Sequence, residues 1–182
     1  MPSINILIAT IGRPTLQNML DSILPNITQN DHVTIVFDGV QPTKLRLATR
    51  GHVHIHHEPT ALGFWGHGIR NKYKTLLVRT DFVLHADDDD VYTPRTFEIL
   101  RRMCVDTNAL YIAKMDFKGR IVPRQAAIVQ DDIGTPNGII PYDLNAQGTW
   151  GDYVGGDGEF YRGIAKGVNV FYINHVLYKV RP

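Results

Sequence analysis

Short apolar runs alternate with amphipathic stretches along the first half of the chain. The apolar runs predict four β-strands, which are Ile4–Ala9, His32–Phe37, Gly51–His57 and Phe82–His85. Between these runs, apolar residues recur at helical spacing. The helices predicted there are Thr15–Leu24, Pro42–Arg50, Ile69–Val78 and Thr93–Met103. This alternation predicts an α/β fold in which helices cover both faces of a parallel sheet.

The second half lacks this regular alternation. Its predicted strands are Ala109–Phe117, Arg120–Pro123, Val168–Ile173 and Val176–Val180. A short helix is predicted from Gly155 to Lys166. The stretch Asp131–Trp150 is rich in Gly, Pro, Asn and Asp and has no clear period, so we interpret it as a long functional loop.

Polar residues and glycines follow the predicted strands of the first half. Right-handed crossovers would place the carboxyl ends of parallel strands on one edge of the sheet. Open α/β sheets bind their ligands at this edge. We therefore expect a ligand site formed by Thr10, Asp38, Gly63 and the aspartates Asp87–Asp90.

The run Asp87–Asp90 is the strongest chemical signal in the chain. Adjacent carboxylates repel one another, and a protein core cannot hold them unpaired. Hard oxygen ligands on a turn anchored by a strand suit Mg²⁺ or Mn²⁺. A solvated turn that caps the helix starting near Thr93 explains the run equally well, so the aspartates alone leave both interpretations open.

Composition narrows the class of protein. The chain has 182 residues, of which 43% are hydrophobic and 20% charged, as in one ordinary globular domain. A net charge of +1 lacks the basic footprint of a nucleic-acid binder. The single cysteine, Cys104, excludes a disulfide framework and permits a reducing compartment. Without a membrane-length apolar run or a signal peptide, we expect a cytoplasmic protein.

Three segments carry a resemblance to a known family, and they are Ile6–Pro14, Asp87–Pro94 and Gly156–Arg162. They resemble the first strand and nucleotide loop, the Asp-x-Asp motif and the later Glu-Asp motif of glycosyltransferases with the GT-A fold, most closely the family 2-like group. The resemblance covers nearly the whole chain. It implies one Rossmann-like domain over residues 1–182 with a mostly parallel sheet and a small antiparallel part. About residues 1–105 would bind the nucleotide sugar, and about 106–182 the acceptor.

The resemblance implies metal-dependent transfer of a sugar from a nucleoside-diphosphate sugar, a UDP- or GDP-sugar, to a hydroxyl acceptor such as a glycan, with inversion. Mn²⁺ or Mg²⁺ would stabilise the charge on the departing diphosphate. By resemblance, Asp89 ligates this ion directly, and Asp87 belongs to the same metal site, where it contacts either the ribose or a water bound to the ion. His175 is a candidate third ligand, because some GT-A enzymes use a late histidine. A structural histidine between two strands is the alternative.

The resemblance also assigns residues to the nucleotide sugar. Asp38 would accept a hydrogen bond from the base, and Arg13 would pair with phosphate. Plain structural explanations for these two are an Asp-Gly turn and a loop surface charge. Arg70 and Asn71 resemble the family's polar pair on the helix that faces the nucleotide. The other assigned residues are Thr10, Gly63, Asp87 and Asp88.

Inverting transfer needs a base that deprotonates the acceptor hydroxyl. By resemblance Asp157 is the first candidate and Glu159 can replace it, while Asp152 is weaker. Gly156 stands where the family has Glu, which leaves the choice between Asp157 and Glu159 open. A helix N-cap is the structural explanation for Asp157.

Two other classes of function stay open at this point. A sugar-1-phosphate nucleotidyltransferase also combines an α/β sheet with metal-binding carboxylates, but it carries an early Gly-rich basic loop, and Thr10–Pro14 has one glycine. A nucleotide- or carbohydrate-binding domain without catalysis is the second, and Gly156 keeps it open.

Overall fold

Four parallel strands form the first half of a mixed sheet in the computed structural model, which describes residues 1–153 and 155–182. They are β1 (Ile4–Thr10), β2 (His32–Asp38), β3 (His52–Glu58) and β4 (Phe82–Asp87). Their order in the sheet is β3-β2-β1-β4, and all neighbours are parallel. The predicted parallel sheet is confirmed.

The register of these strands brings their carboxyl ends together. Ala9 at the end of β1 lies opposite Asp87 at the end of β4, and Thr10 lies opposite Phe37 of β2. Asp38 is the next residue of β2. The predicted convergence of Thr10, Asp38 and the aspartates on one edge of the sheet is therefore observed.

Helices cover both faces of the sheet, as predicted for an α/β fold. They are α1 (Leu16–Ile23), α2 (His67–Tyr73), α3 (Thr96–Met103), α4 (Tyr142–Gln147) and α5 (Gly156–Ile164). Alternate residues of β1 pack in different cores because a strand points successive side chains to opposite faces. Ile6 and Ile8 pack with α1 and α3, whereas Leu7 packs with α2. None of the helices within the described part of the chain has the length and apolarity to cross a membrane.

The second half adds a mainly antiparallel extension to the sheet. Its strands are β5 (Val91–Tyr92), β6 (Leu110–Phe117), β7 (Arg120–Val122), β8 (Gly138–Pro141) and β9 (Val170–Val180). β6 and β7 form the predicted hairpin, which turns at Lys118-Gly119 with both residues at positive φ. β8 lies antiparallel between β4 and β6 and joins the two halves of the sheet.

Three predictions from the hydrophobic pattern are wrong. Asp131–Trp150 is not a loop throughout, because it contains β8 and α4, which are too short to show a period. Residues 42–50 form no helix; hydrogen bonds from Arg46 to Gln17 and from Thr49 to Leu24 hold them along α1. The two final strands are one, β9, in which a bulge takes up the exposed residues Asn174 and His175.

Candidate active site

A cavity of about 280 Å³ lies at the carboxyl edge of the parallel strands, and we name it the rim cavity. It contains six of the eight residues assigned to the nucleotide sugar. Its lining is Ala9, Thr10, Ile11, Arg13, Asp38, Gly63, Trp65, Gly66, Asp87, Asp88, Asp89 and Arg181. Residues distant in the sequence meet here because β1, β2 and β4 end side by side.

A second cavity of about 220 Å³ adjoins the rim cavity, and we name it the Asp157 cavity. Its lining is Asp87, Asp89, Asp90, Met115, Phe117, Lys118, Gly134, Thr135, Pro136, Asp157, Val180 and Arg181. The two cavities share Asp87, Asp89 and Arg181. A molecule bound at the shared residues could therefore reach into both.

The four aspartates have different surroundings. Asp88 is buried and accepts hydrogen bonds from Thr10 Oγ1 at 2.6 Å and Arg13 Nη1 at 2.5 Å, so it fixes the loop after β1. Asp90 is also buried and accepts a hydrogen bond from the backbone N–H of Arg181 at 2.9 Å. Burial, together with the charge of Asp87, raises the pKa of the Asp90 carboxyl to about 7.

Asp87 and Asp89 face the cavities. Arg70 Nη2 donates to Asp87 Oδ1 at 2.5 Å, and Arg181 Nε donates to Asp89 Oδ2 at 2.9 Å. The run does not act as a solvated helix cap. The residue before α3 is Arg95, which has no side-chain capping bond, and two of the four aspartates are buried.

Asp87 and Asp89 fit a divalent cation as a pair of ligands. In the described part of the chain, Asp87 Oδ2 and Asp89 Oδ1 have no hydrogen-bond partner and remain available. Mg²⁺ is commonly held by one or two carboxylates, with water and substrate phosphates completing its shell. Among the described residues, no set of three or more His, Cys, Asp and Glu is arranged to hold a metal. The chemistry of this pair therefore suits an ion held jointly with a phosphate ligand.

The loop that walls the rim cavity is held by Asp38. Its carboxylate accepts the backbone N–H groups of Leu62 at 2.6 Å and Gly63 at 2.9 Å. The following residues Phe64 and Trp65 have positive φ angles of 55° and 54°, and both side chains are exposed. Such backbone strain persists where surrounding contacts enforce it, and it clusters at functional sites. Asp38 thus shapes the cavity wall that carries Trp65.

Asp157 is the carboxylate of the second cavity that lies apart from the aspartate run. It stands in the first turn of α5, and Thr135 Oγ1 donates to its Oδ1 at 2.6 Å. Its other oxygen has no hydrogen-bond partner among the described residues. A carboxylate oriented through one oxygen can accept a proton on the other, as a general base requires.

No protein-family model matches the sequence, and no curated protein sequence matches it. S. aureus TarS 1–349 superposes with a TM-score of 0.76 at 16% identity, over 98% of this chain and 60% of TarS 1–349. TarS 1–349 in complex with UDP gives 0.70 at 14%, over 98% and 60% of the chains.

A second protein gives a similar match. The mannosyltransferase PcManGT from Pyrobaculum calidifontis, in complex with GDP-Man and Mn²⁺, superposes with a TM-score of 0.65 at 13% identity, over 98% of this chain and 56% of its own. TarS and PcManGT are GT-A-type glycosyltransferases. The chain has a GT-A fold. It spans 60% or less of the length of these structures.

Within the GT-A fold, two predicted ligands of the nucleotide sugar lie outside the rim cavity. Arg70 is fully buried beneath it, where it binds Asp87 and donates to the carbonyl of Trp65 at 2.9 Å. Asn71 exchanges two hydrogen bonds of 2.8 Å with the backbone of Trp150. Arg70 therefore acts on the cavity through Asp87, whereas Asn71 holds the loop between α4 and α5 against α2.

The structure does not bring His175 or Glu159 to the cavities. His175 lies on the exposed bulge of β9. Six residues of extended chain, about 20 Å, separate it from Arg181. Glu159 is exposed and lies beside the hydroxyl of Tyr153, whose pKa it raises. Asp152 is exposed as well and lines neither cavity. Between the two candidate bases, only Asp157 faces Asp87 and Asp89.

Two residues of the GT-A site were missed by sequence reasoning. Thr135 lies in the stretch interpreted as a loop, and its Thr-Pro pair signals only a turn. Arg181 follows the last strand and belongs to no motif. Its nearness to Asp89 depends on the pairing of β5 with β9, which joins residues about ninety positions apart. No local pattern encodes that pairing.

Proposed function

We propose that this chain is a metal-dependent glycosyltransferase, which moves a sugar from a nucleoside-diphosphate sugar to a hydroxyl acceptor. One observation carries the proposal. Asp87 and Asp89 are shared by the rim cavity, which holds six of the eight predicted nucleotide-binding residues, and by the Asp157 cavity, which holds a candidate base. During transfer the sugar lies between the diphosphate and the acceptor. The diphosphate site and the base must therefore lie on opposite sides of the sugar, as the two cavities do on either side of Asp87 and Asp89.

The compared structures support the class of sugar donor. One structure of TarS contains UDP, and the structure of PcManGT contains GDP-Man and Mn²⁺. We propose a UDP- or GDP-sugar for this chain, with Mn²⁺ or Mg²⁺. TarS, PcManGT and this chain share the GT-A fold, and this shared fold is the reason for proposing the same class of ligand here.

The rim cavity would bind the nucleotide. Thr10, Arg13, Asp38 and Gly63 line it, and Arg13 also lies 3.7 Å from Asp89. Arg13, Arg70 and Arg181 already pair with Asp88, Asp87 and Asp89. A diphosphate would add negative charge to this nearly balanced group, so a divalent cation on Asp87 and Asp89 would favour its binding. When bound, that cation would stabilise the charge on the leaving diphosphate.

The Asp157 cavity would bind the acceptor, whose hydroxyl proton passes to the Asp157 carboxylate during attack on the sugar. This places base and leaving group on different sides of the sugar and yields inversion. Apart from the shared aspartates and Asp90, its lining comes from residues after 106, whereas the rim cavity is lined mainly by residues before 105. That division supports a donor half and an acceptor half.

Melting temperatures with a panel of nucleotides and nucleotide sugars test the proposal. A ligand that binds only the native protein stabilises it by about 2.7 kcal/mol at 100 times its dissociation constant. For a chain of this size we expect a rise of roughly 5–10 °C with UDP, GDP or their sugars plus Mn²⁺. Replacing Mn²⁺ by a chelator should abolish the rise. No response to any diphosphate nucleotide with Mn²⁺ would refute the proposed function.

A further inference from the structure

Backbone contacts hold Arg181 in place. It follows β9, whose Lys179 pairs with both Val91 of β5 and Asp116 of β6. The backbone N–H of Arg181 donates to the buried carboxylate of Asp90, and its φ angle is +46°. The left-handed conformation is uncommon outside glycine and needs enforcing contacts. These contacts hold the Arg181 side chain at the junction of the two cavities.

The guanidinium of Arg181 is only partly used by the protein. Nε donates to Asp89 Oδ2 at 2.9 Å, and in the described part of the chain neither Nη1 nor Nη2 has a partner. The side chain is 59% exposed and lines both cavities. Guanidinium presents five N–H donors in a rigid fork, so one bond to Asp89 leaves four donors.

The other two arginines beside the aspartates are placed differently. Arg70 is buried beneath the rim cavity, with its Nη groups on Asp87 and Trp65. Arg13 binds Asp88 and lines the rim cavity but not the Asp157 cavity. Of these three arginines, Arg181 is therefore the one that lies at the junction of the two cavities. A sugar donor that spans both cavities would have its distal phosphate at this junction.

We propose that Arg181 binds the distal phosphate of the nucleoside diphosphate through Nη1 and Nη2, while Nε stays on Asp89. This rests on the proposed function. In the transfer, the bond from the anomeric carbon to the distal phosphate oxygen breaks, and a bond from the acceptor oxygen to that carbon forms. The acceptor proton goes to Asp157, and the electron pair of the broken bond stays on the phosphate. Arg181 donates hydrogen bonds to that phosphate as its negative charge grows.

The assignment predicts a selective loss of affinity for diphosphates. Arg181→Gln keeps a polar side chain without the cation, and Lys179→Gln removes a neighbouring charge that lines neither cavity. Dissociation constants of UDP, UMP, GDP and GMP are measured by calorimetry with Mn²⁺. For the nucleotide that binds, Arg181→Gln should weaken the diphosphate about tenfold or more, the size expected for charge-assisted hydrogen bonds. The monophosphate should change by at most about twofold.

Arg181→Lys should recover part of the diphosphate affinity, because it restores the charge but not the fork. The control Lys179→Gln should bind every nucleotide like the wild type. Unchanged diphosphate affinity in Arg181→Gln overturns the assignment. Equal loss for diphosphate and monophosphate, with a lowered melting temperature, also overturns it and gives Arg181 a structural role. A wild-type protein that binds no nucleotide refutes the proposed function itself, and the assignment with it.

Discussion

Asp157→Asn is expected to reduce turnover by about 10²–10⁴-fold, the usual contribution of a general base. The amide cannot accept the acceptor proton, yet its oxygen can still receive the hydrogen bond from Thr135 that orients the side chain. Affinity for the nucleotide sugar should change by at most about twofold, because Asp157 lies outside the rim cavity. The measurement is the rate at which nucleoside diphosphate is released from the bound sugar donor.

Glu159→Gln is the matched control for that experiment. Glu159 lies two residues further along α5, but it is exposed and lines neither cavity. We expect its turnover to equal that of the wild type. If Asp157→Asn keeps full turnover, or if Glu159→Gln loses it, the base has been assigned to the wrong carboxylate.

Arg70→Leu is expected to lower the free energy of unfolding by about 3 kcal/mol, the low end for breaking a buried ion pair. Arg70 is completely buried, and the substitution leaves the Trp65 carbonyl and the Asp87 carboxylate without their donor. Water can reach Asp87, whose side chain is 36% exposed, which limits the loss. Denaturant unfolding of the metal-free protein measures the change.

Arg79→Leu provides the comparison for Arg70. Arg79 also pairs with a carboxylate, Asp143, and stacks on the aromatic ring of Tyr142. Both partners of this ion pair are about two-thirds exposed, so its loss should destabilise the protein much less than Arg70→Leu does. Equal destabilisation by the two substitutions would show that Arg70 does not form a buried support for Asp87.

The rim cavity could be predicted from sequence because its parts are local signals. Thr10, Asp38 and Asp87 each end an apolar strand, and three strands of one parallel sheet must end at a common edge. The resemblance to GT-A enzymes then supplied roles for these residues. Both steps use short segments of the chain, which can be recognised without knowledge of tertiary contacts.

The Asp157 cavity could be predicted only in part, because it depends on long-range contacts. Asp157 was found by resemblance, but Thr135 and Arg181 reach it through β8 and β9, whose positions follow from sheet pairing. His175 illustrates the reverse error. A histidine predicted to sit between two strands lies within one strand, on an exposed bulge.

Titration calorimetry of UDP- and GDP-sugars into the wild type and Asp89→Ala tests most directly whether the aspartates bind a sugar donor together with a metal. Asp21→Ala, which removes an exposed carboxylate that lines neither cavity, is the control. We predict saturable binding of one donor per chain with Mn²⁺ in the wild type and the control. Binding should be lost in Asp89→Ala and in the wild type with a chelator. Donor binding by Asp89→Ala that is as tight as that of the wild type and does not depend on Mn²⁺ would contradict the proposed site.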